Sequence, residues 1–267
     1  MKNKLNKIAK DTNIFLKNFL NKQHKSKLIP AMKYGLFPGG KKIRSKILID
    51  IGSLLSINYK TLIAIGAAVE CIHAYSLIHD DLPCMDNDKM RRGKPSTHIK
   101  FGESNAILAG NSIFSMAINV LIKNISNKKN DSLLRIIELL CNVSGLDGLA
   151  KGQSLDLEMQ NKKISIKKML QISHLKTSKL FEFCVVSPFI LSKSSKKYIK
   201  EAKLFSHNLG LIFQITDDMI DLENKNYQKM NNFCIQLIRD CTKKKTFFGE
   251  RNGCFHDFLY HILNRRM

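Results

Sequence analysis

The chain has 267 residues, 44 Lys+Arg against 22 Asp+Glu, a formal charge of +22 and only five Pro. That length suits one large domain or two small ones, and the shortage of Pro argues against a turn-rich β architecture. The charge points to an anionic partner, but there is no Arg-rich helix with base-reading residues, no zinc spacing and no RNP-like aromatic motif, so no nucleic-acid partner is expected.

In chain order, residues 1–29 alternate apolar Leu5, Ile8, Ile14, Phe15, Phe19 and Leu20 with Lys and Asn, as an amphipathic helix does. Pro30 opens a second short helix, and Phe37-Pro38-Gly39-Gly40 is a loop leading into a helix that runs to about Leu55. Residues 60–82 are apolar over most of the helical circumference, which predicts burial. Pro83 breaks that helix, and a polar loop follows from Asp86 to Pro95. Helical patterns return at 104–123, 131–150, 166–192 and 196–222, and no stretch alternates as a strand does. The fold is expected to be all-α. The seven Cys are dispersed and never form C-x-x-C, which reads as reduced thiols in a cytoplasmic protein. No unbroken apolar run reaches the ~18 residues of a membrane span, so no stable membrane anchor is expected.

Seven of the 22 acids fall in two short stretches: Asp80, Asp81, Asp86 and Asp88, then Asp217, Asp218 and Asp221. Carboxylates packed this closely repel one another, and hard divalent cations with oxygen ligands relieve that repulsion. Asp217 and Asp221, at i and i+4, share one helix face. Asp86 returns toward Asp80 only if the Pro83 break bends the chain. Mg²⁺ takes one or two carboxylates and completes its shell with water and phosphate, so two such clusters facing one cavity would trap a diphosphate. Arg91 and Arg92 follow the first cluster, and a guanidinium binds phosphate bidentately. Gly39-Gly40-Lys41-Lys42-Ile43-Arg44 opens a cationic helix start, where backbone N–H groups also favour anions. His73 lies two turns before Asp80.

Together these residues resemble the short-chain trans-prenyltransferases of the polyprenyl synthetase family, and among them the bacterial farnesyl-chain enzymes. Asp80-Asp81-x-x-x-x-Asp86 with Arg91-Arg92-Gly93 is similar to the first aspartate-rich motif, and Phe213-Gln214 with Asp217-Asp218-x-x-Asp221 to the second. The stretches Glu70–His79, Phe101–Gly110 and His174-Leu175-Lys176-Thr177 are similar as well, and the likeness covers about residues 30–222. It implies two to three Mg²⁺ ions held by Asp80, Asp81, Asp86, Asp217, Asp218 and Asp221. It implies isopentenyl diphosphate held by Lys41, Arg44, His73 and Arg92, and the allylic diphosphate gripped by Arg91 and Lys176. Lys176, Thr177 and Gln214 would stabilise the allylic cation. Tyr75, five residues and about 7.5 Å of helix before Asp80, would floor the pocket and set product length. The resemblance also implies the fold, a single domain in which antiparallel helices surround a central cavity, with small diphosphates as substrates and a homodimer as the assembly.

The likeness fades after Asp221, where Lys244-Lys245-Thr246-Phe247-Phe248 is a loose echo of the family and about 231–267 reads as a shortened, atypical tail. The expected activity is farnesyl diphosphate synthesis. The alternatives are a geranyl or geranylgeranyl diphosphate synthase, or a degenerate homologue that binds diphosphate without turnover.

Overall fold

The computed structural model describes residues 2–37, 40–125, 130–160, 162, 165–221, 227–243, 246–250, 259–260 and 262; the side chains of 217–221 lie outside that description. The chain forms two compact units, Met1–Cys141 with Ile190–Ser192, and Asn142–Phe189 with Lys193–Met267.

The first unit is built on α4 (Tyr59–Asp80), which packs against α6 (Glu103–Asn124) and α3 (Ile43–Leu54). Asn58 caps α4, its side chain accepting the Lys60 N–H at 2.9 Å. Residues 62–72 of α4 are buried without interruption, which explains an apolar surface on every side rather than a stripe. α4 and α6 are each 22 residues long and apolar enough in composition to cross a membrane. Neither helix was visible as an unbroken apolar run, because polar residues interrupt both. Packing accounts for their composition: 72% of the apolar window of α4 and 44% of that of α6 are buried inside the protein. α1 (Lys2–Asn21) is shorter than its periodicity suggests; it lays Ile8, Leu16 and Leu20 on this core, and α2 (Leu28–Leu36) follows with Pro30 in its first turn.

Among the described residues the only sheet is a hairpin of β1 (Met90–Arg91) and β2 (Lys94–Pro95) inside the loop expected to be irregular. Arg92 (φ 52°) and Gly93 (φ 75°) form its tip, two successive positive-φ residues of the kind a two-residue hairpin demands. The short α5 (Thr97–Phe101) leads into α6.

The helix expected over 131–150 is interrupted. α7 (Asn130–Ser144) ends, and α8 (Leu149–Met159) starts in the second unit after a turn through Gly148. The pattern over 166–192 resolves into α9 (Ile166–Ser173), one π-helical turn (His174–Ser178) and α10 (Lys179–Leu191). α11 (Lys196–Asp221) carries the second aspartate cluster in its last turns. α12 (Tyr227–Cys241) packs on α11 and buries Cys234, Leu237, Ile238 and Cys241. The loose echo is anchored: Phe248 stacks on Phe205 at 3.9 Å, Phe247 meets Phe189 at 4.8 Å, and the Phe247 N–H donates to Glu201 Oε2 at 2.9 Å. These residues belong to the core of the second unit.

Candidate active site

In the first unit the break after α4 folds back on itself. The Asp86 N–H donates to the Asp80 carbonyl at 2.9 Å, and Met85 and Asn87 donate to that of Leu82. The Pro83 bend therefore brings Asp86 to Asp80, as the spacing of the cluster required. Asp81 has a different surrounding. Its buried carboxylate takes two bonds from Arg91, which also reaches Asp88 at 2.8 Å. Burial pushes the Asp81 carboxyl up and the guanidinium pulls it back, while the Asp81 carboxylate raises Arg91.

The hairpin separates the two arginines. Arg91 lies on β1 and turns to the acids, whereas Arg92, at the tip, lies against the glycine loop. Gly40 turns through φ +96°, a conformation that favours glycine, and the Arg92 guanidinium packs beside it, with Nη1 2.9 Å from where a Cβ would stand. His73 titrates well below the usual imidazole range, first because it is buried and then because Arg44, Arg92, Lys42 and Arg91 surround it. It is therefore a neutral N–H donor among cations rather than a fourth cation. The structure thus gathers Gly40, Arg44, His73 and Arg92, with Lys41 exposed beside them. Pro38 and Gly39 lie outside the described residues. The helix start expected to attract an anion is partly occupied: the Ser45 N–H of α3 already donates to Glu70.

Tyr75 packs edge-on against Phe114 of α6 at 5.2 Å and against His79 at 5.3 Å. Burial and the Asp80 charge both raise its phenol pKa, so it stays protonated. His79 is held by the Ile107 carbonyl at 3.2 Å.

In the second unit Lys176 and Thr177 ride on the π-turn. Thr177 donates to Gln214 Oε1 at 3.1 Å, and the Lys176 ammonium pairs with Asp156 of α8. The π-turn fits because both neighbouring helices are bare where they meet it. A Cβ on Gly152 would stand 2.7 Å from the Lys176 backbone nitrogen, and one on Gly210 would stand 2.5 Å from Ser178 Cα. A π-turn splays its side chains out of the regular α register, and such turns are frequent at functional sites. Asp156 and the π-turn were not foreseen. One signal was Gly210, an isolated glycine inside the 196–222 pattern, which disfavours helix by about 1 kcal/mol unless packing needs it; Gly152 fell between the expected helices and gave none. Asp217, Asp218 and Asp221 share the last turns of α11, and their side chains are outside the described residues.

Among the described residues no three His, Cys, Asp or Glu side chains cluster as a metal site. Asp80 and Asp86 still fit Mg²⁺, which needs only one or two hard carboxylate oxygens from the protein. Arg91 takes only Oδ1 of Asp81, which leaves Oδ2 as a third carboxylate oxygen for such a shell.

The chain matches the Polyprenyl synthetase family over residues 25–246, and it belongs to that family. It is 40% identical over 233 residues to a farnesyl diphosphate synthase of Buchnera aphidicola subsp. Acyrthosiphon pisum, covering 83% of this chain and 82% of that protein. Two solved structures share its fold. A geranyltransferase from Legionella pneumophila has a TM-score of 0.88 at 31% identity, covering 98% of this chain and 95% of that one. An FPP/GFPP synthase from Zymomonas mobilis has a TM-score of 0.83 at 29% identity, covering 98% and 96%.

Proposed function

We propose that this protein is a trans-prenyltransferase that condenses isopentenyl diphosphate head-to-tail (1′–4) with dimethylallyl and then geranyl diphosphate, giving farnesyl diphosphate and releasing diphosphate. The observation that carries this reading is the gathering of Gly40, Arg44 and Arg92 around His73 within the first unit, His73 lying on the helix that ends in Asp80 and is followed by the loop that returns Asp86.

Each residue then has a task. Lys41, Arg44 and Arg92 hold the isopentenyl diphosphate by charge, and neutral His73 donates a hydrogen bond to it. Asp80, Asp81 and Asp86 of the first cluster, and Asp217, Asp218 and Asp221 of the second, would supply the oxygen ligands for two to three Mg²⁺ ions, with Asp81 also orienting Arg91 beside them. When bound, those ions supply positive charge to the departing diphosphate of the allylic substrate. Arg91 and Lys176 add fixed positive charge to the same group. Thr177 and Gln214 present oxygens to the allylic cation, and their mutual hydrogen bond keeps both side chains in place. Isopentenyl diphosphate attacks through its double bond, and the released diphosphate takes the proton. No protein nucleophile is required. The protein is proposed to act as a homodimer.

In this reading the Tyr75 ring, packed edge-on against Phe114, is the floor that limits the product to a farnesyl chain. Tyr75→Ala should lengthen the product, and unchanged C15 output would remove Tyr75 from that role. Incubation with Mg²⁺, dimethylallyl diphosphate and isopentenyl diphosphate, followed by resolution of the hydrolysed products by length, tests the whole reading. A C15 alcohol is expected. A C10 or C20 alcohol would keep the chemistry and overturn the pocket depth. Diphosphate binding without any product would identify a non-catalytic homologue.

A further inference from the structure

Glu70 is an acid buried beside a substrate site made of cations, and the proposed reaction gives it nothing to do. It is 3% exposed, on α4, one turn before His73. Its carboxylate makes three contacts, all to the start of α3. Oε1 accepts the Ser45 backbone N–H at 3.2 Å and lies 3.1 Å from Ser45 Oγ, and Oε2 lies 3.4 Å from the Lys42 ammonium. Ser45 Oγ is also 3.0 Å from the Gly66 carbonyl and shares its one proton between the two acceptors. Lys42 is 7% exposed, and its ammonium lies 3.4 Å from the Leu36 carbonyl.

The backbone explains why this acid is needed. Lys42 is the residue preceding α3, the place where Ser, Thr, Asp or Asn would normally cap the orphan N–H groups. Lysine has no acceptor to offer, and its side chain makes no cap. Glu70 does the capping from the neighbouring helix, with a carboxylate at the positive end of the α3 dipole. Lys42 also holds φ 48° and ψ 45°, a left-handed conformation that disfavours a residue with a Cβ by ~1 kcal/mol or more. The Lys42–Glu70 pair holds the backbone there. Gly40, at φ +96°, turns the same way two residues earlier. These two turns set the direction in which Lys41 leaves the chain and the register from which Arg44 starts its helix.

We infer that Glu70 is the positioning residue of the cationic loop: by capping α3 and holding Lys42 in its left-handed turn, it sets Lys41 and Arg44 against His73 and Arg92 so that the four bind one diphosphate. It touches no substrate. The inference rests on the proposed isopentenyl diphosphate site.

The test compares KM values in the full-length protein. Glu70→Gln keeps the shape and removes the charge. It should raise KM for isopentenyl diphosphate about tenfold or more while leaving KM for geranyl diphosphate and kcat within about twofold. Glu70→Asp, whose carboxylate is one methylene short, should fall between the two. Should Glu70→Gln fail to fold, the paired Glu70→Leu/Lys42→Leu change removes both charges at once, a replacement proteins often tolerate. It should fold and show the same selective KM rise. Either variant with wild-type KM for isopentenyl diphosphate overturns the inference, as does an equal rise for both substrates. Arg44→Ala serves as the control: if it leaves that KM unchanged, the substrate reading itself fails, and the inference fails with it.

Discussion

Both compact units hold a lysine against a carboxylate, and they do so in opposite settings. In the first, Lys42 and Glu70 are buried together where α3 begins. In the second, the Lys176 side chain is 27% exposed and its partner Asp156 40%. A buried charge without its partner keeps its desolvation cost, so the first pair must stay closed. An exposed pair is weak and screened by salt, so Lys176 can leave Asp156 for a stronger anion such as diphosphate. A lysine–carboxylate pair thus makes a fixed brace in one unit and a more exposed, weaker contact in the other.

Breaking each pair from one side should expose this difference most strongly. Lys42→Met strands the Glu70 carboxylate and should lower the free energy of unfolding by ~3–5 kcal/mol in urea titration. Asp156→Asn should cost less than ~1 kcal/mol by the same measurement. Equal losses would mean that the two settings do not differ. Next in size is Lys176→Met, expected to reduce kcat/KM about 100-fold through loss of one charge at the departing diphosphate. Its stability should stay within ~0.5 kcal/mol of wild type, and a large drop would make Lys176 a structural residue.

Gly210→Ala probes the seat of the π-turn. Its methyl would press on the Ser178 backbone, and the cost should be about 1–3 kcal/mol in urea titration, with kcat reduced as Thr177 shifts from Gln214. A variant as stable and active as wild type would show that the close approach is not required.

The smallest effect concerns pH. His174 and His207 meet on this turn with Nδ1 atoms 3.2 Å apart, one ring donating and the other accepting. Lys179 and Glu182 of α10 are the charged groups that act on them, and Lys203 of α11 lies 3.9 Å from Glu182. Burial, then the neighbouring His207, pushes His174 down to about 4, and burial followed by Lys179 lowers His207. A histidine whose folded pKa is depressed binds its proton more readily when unfolded. Its stabilisation is therefore complete above the ordinary value of 6.5 and declines as pH falls toward about 4. Melting temperature should drop over that window, and His207→Gln should flatten the decline. An unchanged slope would remove the pair as its source.

What the sequence determined by itself was chemistry concentrated in short stretches. The aspartate clusters, Arg91-Arg92 and the glycine loop were legible because carboxylates beside apolar helices and glycines beside cations have few uses. The all-α class was legible because helical periodicity needs no tertiary contact to be read. The tertiary structure alone decided partners distant in sequence. It put Arg91 on Asp81 and sent Arg92 to Gly40. It placed Glu70 under an α3 that Lys42 cannot cap, and seated a π-turn between two glycines. The reason is physical: periodicity records which face of a helix is buried, while hydrogen bonds and ion pairs across helices depend on crossings that no local pattern encodes. The tail shows the same limit, since Phe247 and Phe248 are only a loose echo of the family in sequence, and their packing against Phe189 and Phe205 is visible only in the folded chain.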